Sequence, residues 1–195
     1  MFYRAKKTVL ATLLLVLSSA ACAQQMSFPA FTVGNPQAET KIEFYLSPTC
    51  TMCAGTFRNT IMSLINKANM RKDLFLFVGV MPRSENDLKF ARVMSCVPQA
   101  QLMPYMTEWY FHQRTASAAD LTRLLRIGEN YGIIGSNESE CTSERNDKAF
   151  LSFNQLVFTE NRIKEVPAIF VNGIHMKEIF YLWQFEEKLP QLEGK

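Results

Sequence analysis

Ser47-Pro48-Thr49-Cys50-Thr51-Met52-Cys53 is the stretch on which the reading of this chain turns. Ahead of it, Lys41-Ile42-Glu43-Phe44-Tyr45-Leu46 reads as a strand that stops at Ser47-Pro48. Behind it, Phe57, Ile61, Leu64, Ile65 and Ala68 recur at helical spacing, which predicts a helix of about four turns. Residues 74–80 are continuously apolar and partly β-branched, the pattern of a strand buried on both faces. Strand, cysteine loop, helix, strand make a βαβ unit.

The rest of the chain extends that unit. Ser84 followed by Asp87 marks a helix start, and Leu88, Ala91, Val93 and Met94 supply a helical face. From there to about residue 150 the chain reads mainly as helices, punctuated by Pro98, Pro104, Gly128, Gly132 and Gly135, with a polar loop over 136–143. Residues 144–159 read as helical again, with Phe150, Phe153, Leu156 and Val157 on one side. A strand at Ala168-Ile169-Phe170-Val171 meets the turn Asn172-Gly173 and then Ile174-His175-Met176, a hairpin signal. An amphipathic helix through Tyr181, Leu182, Phe185 and Leu189 closes the pattern before Pro190. The expected class is α/β, with residues 24–83 and 151–195 forming two parts of one domain and 84–150 an all-helical insertion.

The first residues bear on compartment. Arg4, Lys6 and Lys7 precede an apolar run over 9–17 and the small residues 18–21, and Ala21-Cys22-Ala23 fits a signal-peptidase site, so residues 1–23 read as an export signal. The apolar core is short for a span of roughly 20 residues. A competing reading makes Cys22 a lipid-modified N-terminus, since Ser19-Ala20-Ala21-Cys22 loosely resembles a lipobox, although Ser19 stands where an aliphatic residue is preferred. Cleavage after Ala23 removes three bases and no acid, so the 21 Lys+Arg fall to match the 18 Asp+Glu. A neutral chain carries no electrostatic footprint for nucleic acid.

Without Cys22 the cysteines number four: Cys50, Cys53, Cys96 and Cys141. An even set in an exported chain suggests disulfides. The C-x-x-C spacing suggests chemistry. Disulfide exchange needs a thiolate attacker and a stable thiolate leaving group. Cys50, placed just before a helix, faces unpaired N–H groups and the positive end of the dipole. Cys53 lies one turn on, close enough to close a ring. Cys50 is therefore the expected nucleophile and Cys53 the resolving thiol. A zinc site would need two more ligands, with no second C-x-x-C and only two histidines in the chain. A purely structural disulfide is the remaining alternative. No metal or cofactor is expected.

Gly34-Asn35-Pro36, Ile42-Glu43-Phe44, the run from Ser47 to Ala54, and Val166-Pro167-Ala168-Ile169-Phe170-Val171-Asn172-Gly173 together resemble the DsbA-like periplasmic disulfide oxidoreductases, over roughly residues 31–190. The resemblance implies a thioredoxin fold interrupted by a helical domain. It implies a cis proline at Pro167 beside the sulfurs, with the Val166 backbone open to an extended substrate. Thr51 and Met52 would then face substrate as well, with Met52 and Met176 as candidate borders of an apolar groove. A second cysteine pair in the helical domain of some members implies a structural Cys96–Cys141 disulfide. The implied activity is disulfide donation to folding exported polypeptides in the periplasm, with reoxidation by a membrane partner. A reductase or isomerase, or a non-enzymatic chaperone or binding module, is the alternative. Periplasmic isomerases carry an N-terminal dimerisation domain; about ten residues between the cleavage site and the fold leave no room for one, so a monomer is expected.

Two departures from the resemblance concern tuning. Members with a buried acid near the cysteines place it six residues before the first, whereas Glu43 stands seven before Cys50. It is either a proton acceptor for Cys53 or a solvated strand residue. His112 and His175 are expected to be structural, and Asn137-Glu138-Ser139 is a weak glycosylation match. Strong oxidants of the family often carry histidine before the second cysteine, where this chain has Met52. Without an imidazolium, and with at most the Thr51 hydroxyl to help, the pair should be less oxidising than the histidine-containing members. A glutathione equilibrium constant equal to theirs would contradict that.

Overall fold

The computed structural model describes residues 29–113, 120–133, 141–143, 163–177 and 181–189. Among them five strands form one mixed sheet: β1 (Ala30–Gly34), β2 (Thr40–Leu46), β3 (Leu74–Val80), β4 (Ala168–Val171) and β5 (Ile174–His175). Their spatial order is β1-β3-β2-β4-β5. β2 and β3 run parallel, in register from Thr40 opposite Leu74 to Leu46 opposite Val80, and the other pairings are antiparallel. A parallel pair needs a crossover. Here it is α1 (Thr51–Thr56), a π-helical turn (Phe57–Ile61) and α2 (Met62–Met70). α3 (Glu85–Ser95), α4 (Gln99–His112) and α5 (Leu121–Glu129) fall between β3 and β4 in the chain, and α6 (Leu182–Lys188) follows the hairpin.

Strand alternation decides which side chains meet the crossover. Ile42, Phe44 and Leu46 of β2 join Cys53, Phe57, Ile61, Leu64 and Ile65 in the main core. Tyr45 turns to the other face and packs with Met81, Ile163, Ala168 and Phe170. Each large apolar side chain fully buried here contributes about 1.5–3 kcal/mol relative to exposure. β3 lies between β1 and β2; its Leu74, Leu76, Val78, Gly79 and Val80 are buried while Phe75 and Phe77 on the other face are half-buried, so the continuous apolar run is fully covered on both faces only toward its end.

This is the α/β arrangement that the resemblance implies, with local differences. No strand is predicted before Lys41, yet β1 pairs with β3 along its whole length. Five residues hold too little alternation to show an edge strand. Gly34 ends it at φ 92, and a Cβ there would sit 2.2 Å from the Leu74 carbonyl oxygen. Pro104, expected to break a helix, lies inside α4. The burial of Leu102, Tyr105, Met106, Trp109 and Tyr110 carries the helix through it. The crossover is longer than four turns and contains the π-helical turn, which side-chain spacing does not reveal. Residues 1–28, the expected helix at 144–159 and most of the polar loop lie outside the described residues.

Cys96 caps the C-terminus of α3 and is bonded to Cys141, 45 residues on, with the two Cα atoms 5.8 Å apart. The Cys96→Ala/Cys141→Ala double variant should lose about 4 kcal/mol of unfolding free energy, the loop-closure term for a ring of that length. Denaturant unfolding without reductant measures it, and an unchanged midpoint would refute it.

Candidate active site

Cys50 is the N-cap of α1, with φ −79 and ψ 119, so its side chain turns back over the first turn of the helix. Its Sγ accepts a hydrogen bond from the Cys53 N–H at 3.3 Å. Thr51 and Met52 lie exposed between the two cysteines, while Cys53 is fully buried beneath them. Both cysteines are free thiols here, Cys50 half-buried.

The two sulfurs titrate in opposite directions. The Cys53 thiol donating to the Cys50 sulfur lowers the Cys50 pKa most, and the Cys53 and Met52 backbone N–H groups add to it. Burial and the charge of Asp87 oppose them, and the balance is a fall from 9.0 to about 6. Cys53 goes well above its ordinary value, first because burial penalises its thiolate and then because Cys50 lies beside it; a backbone hydrogen bond from Ser47 pulls the other way. At neutral pH the pair therefore holds one exposed-side thiolate and one buried thiol.

The loop ahead of Cys50 is fastened from the helices between β3 and β4. Trp109 Nε1 of α4 donates to the Pro48 carbonyl at 2.9 Å, and the Tyr110 hydroxyl donates to the Ser47 carbonyl at 3.3 Å. Tyr110 also stacks on Phe57, ring centroids 4.9 Å apart, below the active-site helix. From the start of α3, Asp87 accepts from the Ser47 hydroxyl at 2.9 Å and from the Thr49 hydroxyl. Ser47 Oγ in turn accepts from the Thr49 N–H at 3.3 Å. Sequence spacing marks Asp87 only as part of a helix start; its distance of 38 to 40 residues from its partners hides the rest.

The Val166-Pro167 bond is cis, as the resemblance implies. It brings the Val166 carbonyl oxygen within 3.9 Å of Cys50 Sγ. Proline has no N–H to offer at this point, so the strand presents its carbonyl. On the other flank, Met52 is 57% exposed and lines an open groove of about 150 Å³ with Gly55, Thr56, Asn59 and Tyr181. Met176 does not line that groove; it packs against the main core.

Other expectations fall away from the site. The Thr51 hydroxyl makes no hydrogen bond to Cys50 among the described residues; the backbone N–H groups take that place. Glu43 accepts from the Tyr45 hydroxyl at 2.8 Å, on the sheet face opposite Cys53. Alternation along β2 turns it away from the sulfurs. His112 ends α4 on the surface, and His175 stacks on Phe170 with centroids 4.8 Å apart.

The family described as Thioredoxin matches residues 28–185. No curated protein matches this sequence. Among solved structures, a protein-disulfide isomerase from Novosphingobium aromaticivorans is 16% identical at a TM-score of 0.71, with 86% of this chain and 100% of that one covered. Wolbachia pipientis alpha-DsbA1 is 18% identical at 0.72, covering 84% and 90%. BdbD from Bacillus subtilis is 12% identical at 0.72, covering 85% and 94%. At such identities the likeness is one of fold: a thioredoxin fold carrying a helical insertion.

In the reduced protein the lowered Cys50 pKa contributes stability that is fully present above about pH 9 and lost as pH falls through about 6. The raised Cys53 pKa works the other way, its contribution present below pH 9.0 and lost as pH rises through its folded value. Ultraviolet titration of the reduced protein should show one thiolate appearing near pH 6, absent in Cys50→Ser. A single transition near pH 9 would contradict this assignment.

Proposed function

The chain belongs to the thioredoxin family, and from its site we propose that it is a thiol–disulfide oxidoreductase that donates a Cys50–Cys53 disulfide to exported polypeptides. The observation that carries this reading is the placement of two free sulfurs one turn apart, Cys50 half-buried at the N-cap of α1 and accepting from the Cys53 N–H, Cys53 fully buried below it. Exchange requires that asymmetry. A substrate thiolate attacks Cys50 Sγ of the oxidised pair, a substrate–Cys50 disulfide forms, and the Cys50–Cys53 bond breaks. Cys53 leaves with the electron pair and, buried, takes up a proton. A second substrate thiolate then attacks the substrate sulfur of the mixed disulfide. Cys50 departs as a thiolate held by the N–H groups of α1. The substrate has lost two electrons, and the enzyme has gained them as the reduced pair.

Substrate placement follows from the same wall. The Val166 carbonyl, next to the cis Pro167, offers a strand-like acceptor to an extended peptide. Met52 and Thr51, exposed on the helix start, flank the incoming chain. The reading places the protein in the periplasm as a monomer reoxidised by a membrane partner. Among the described residues no helix is long and apolar enough to cross a membrane.

Purified mature protein should oxidise a reduced dithiol peptide stoichiometrically. Cys50→Ser should abolish this, and Cys53→Ser mixed with oxidised glutathione should stop at a Cys50–glutathione mixed disulfide, releasing one glutathione thiol. A pair that never exchanges with glutathione would end the proposal, and undiminished function of Cys50→Ser in cells would favour a binding module. A potential near that of thioredoxin, about −270 mV, would reverse the direction to reductase.

A further inference from the structure

We propose that Asp87, held beneath the cysteine loop by Ser47 and Thr49, is the positioning residue that limits how strongly oxidising the Cys50–Cys53 pair is. The inference deepens the proposed exchange activity and rests on it.

Asp87 has two jobs, and only one is local. As the third residue of α3 it donates its own N–H to the Ser84 hydroxyl at 3.1 Å and accepts from the Arg83 N–H at 2.9 Å. That is a reciprocal cap, which a solvent-exposed carboxylate can make equally well. This one is 2% exposed. Its remaining capacity goes to the hydroxyls of Ser47 and Thr49, three and one residues ahead of Cys50. A cap does not need those partners; a wall of the active site does.

No ion pair among the described residues includes Asp87. The Arg83 guanidinium bonds the Lys164 carbonyl. Among the described residues, the charge of Asp87 disfavours the anions of Cys50 and Cys53 at the start of α1 and of the buried Tyr110 phenol of α4. A buried negative charge in a low-dielectric wall acts further than one in water. It disfavours the Cys50 thiolate and leaves the neutral disulfide untouched. The reduced state therefore lies higher than the helix terminus alone would place it, and the pair is a weaker oxidant. The two hydroxyls temper the charge by donating to it. Asp87 acts on the sulfurs through the field and through the loop it holds, and it touches neither sulfur.

The test pairs two substitutions of opposite sign. Asp87→Asn removes the charge and keeps one oxygen acceptor, so one of the two hydroxyls, which bond different carboxylate oxygens, retains its partner. The substitution should lower the Cys50 pKa and shift the glutathione equilibrium toward the reduced pair by less than the roughly tenfold, about 30 mV, that a full pKa unit would give. Thr49→Val removes one hydroxyl donor and should move both readouts the other way by a smaller amount. A purely structural Asp87 would change unfolding midpoints and leave the thiolate titration and the potential in place. The proposal is overturned if folded Asp87→Asn titrates and equilibrates as the native protein does. Should Asp87→Asn fail to fold, Thr49→Val decides: an upward pKa shift supports the proposal and no shift overturns it. Native protein that never exchanges with glutathione would instead remove the activity on which the inference rests.

Discussion

The contact between the Cys50 sulfur and the unpaired N–H groups at the start of α1 governs how the rest of this molecule is arranged. A sulfur can accept those hydrogen bonds only if the residue carrying it stands outside the helix in extended geometry, with its side chain folded back over the first turn. Cys50 has that geometry. It keeps it because the chain on either side is pinned: β2 ends at Leu46 inside a sheet, and the helix after it drives Phe57, Ile61 and Leu64 into the core. The Met81 N–H donates to the Leu46 carbonyl at 2.7 Å, closing the end of β2 against the strand beside it.

Burial then distinguishes two chemically identical groups. Cys50 and Cys53 share a helix start, and the backbone field of that start favours anions at both. Cys53 nevertheless holds its proton because it is fully buried in the main core, where desolvation outweighs the field. One sulfur is thus poised to attack or leave and the other to store a proton, and three residues of sequence separate the two conditions.

The helices between β3 and β4 form part of the active site. α4 supplies Trp109 to the buried Pro48 carbonyl and Tyr110 to the Ser47 carbonyl, which also accepts from the Cys50 N–H. α3 supplies Asp87 to the hydroxyls of the same loop. The Cys96–Cys141 bond ties the end of α3 to a distant part of the chain. An element inserted into the fold therefore holds the loop that presents the nucleophile, and a change deep within it can alter the chemistry of Cys50.

Much of this was legible in residue order alone. Periodicity marks β2, β3 and the crossover helix because each buries a regular face, and Asn172-Gly173 marks its hairpin because few other residues accept positive φ; here φ is 48 and 78. The spacing of Cys50 and Cys53 at a helix start declares the chemistry, since helix geometry itself brings the second within a turn of the first. What tertiary structure alone decided is which distant groups surround that start. Glu43, near in sequence, is turned away by the pleat of β2, while Asp87, 37 residues from Cys50, is folded against its loop. Edge strand β1 and the passage of α4 through Pro104 belong to the same class. Local pattern reports what a segment buries; its partners are set by long-range packing, which no window of sequence contains.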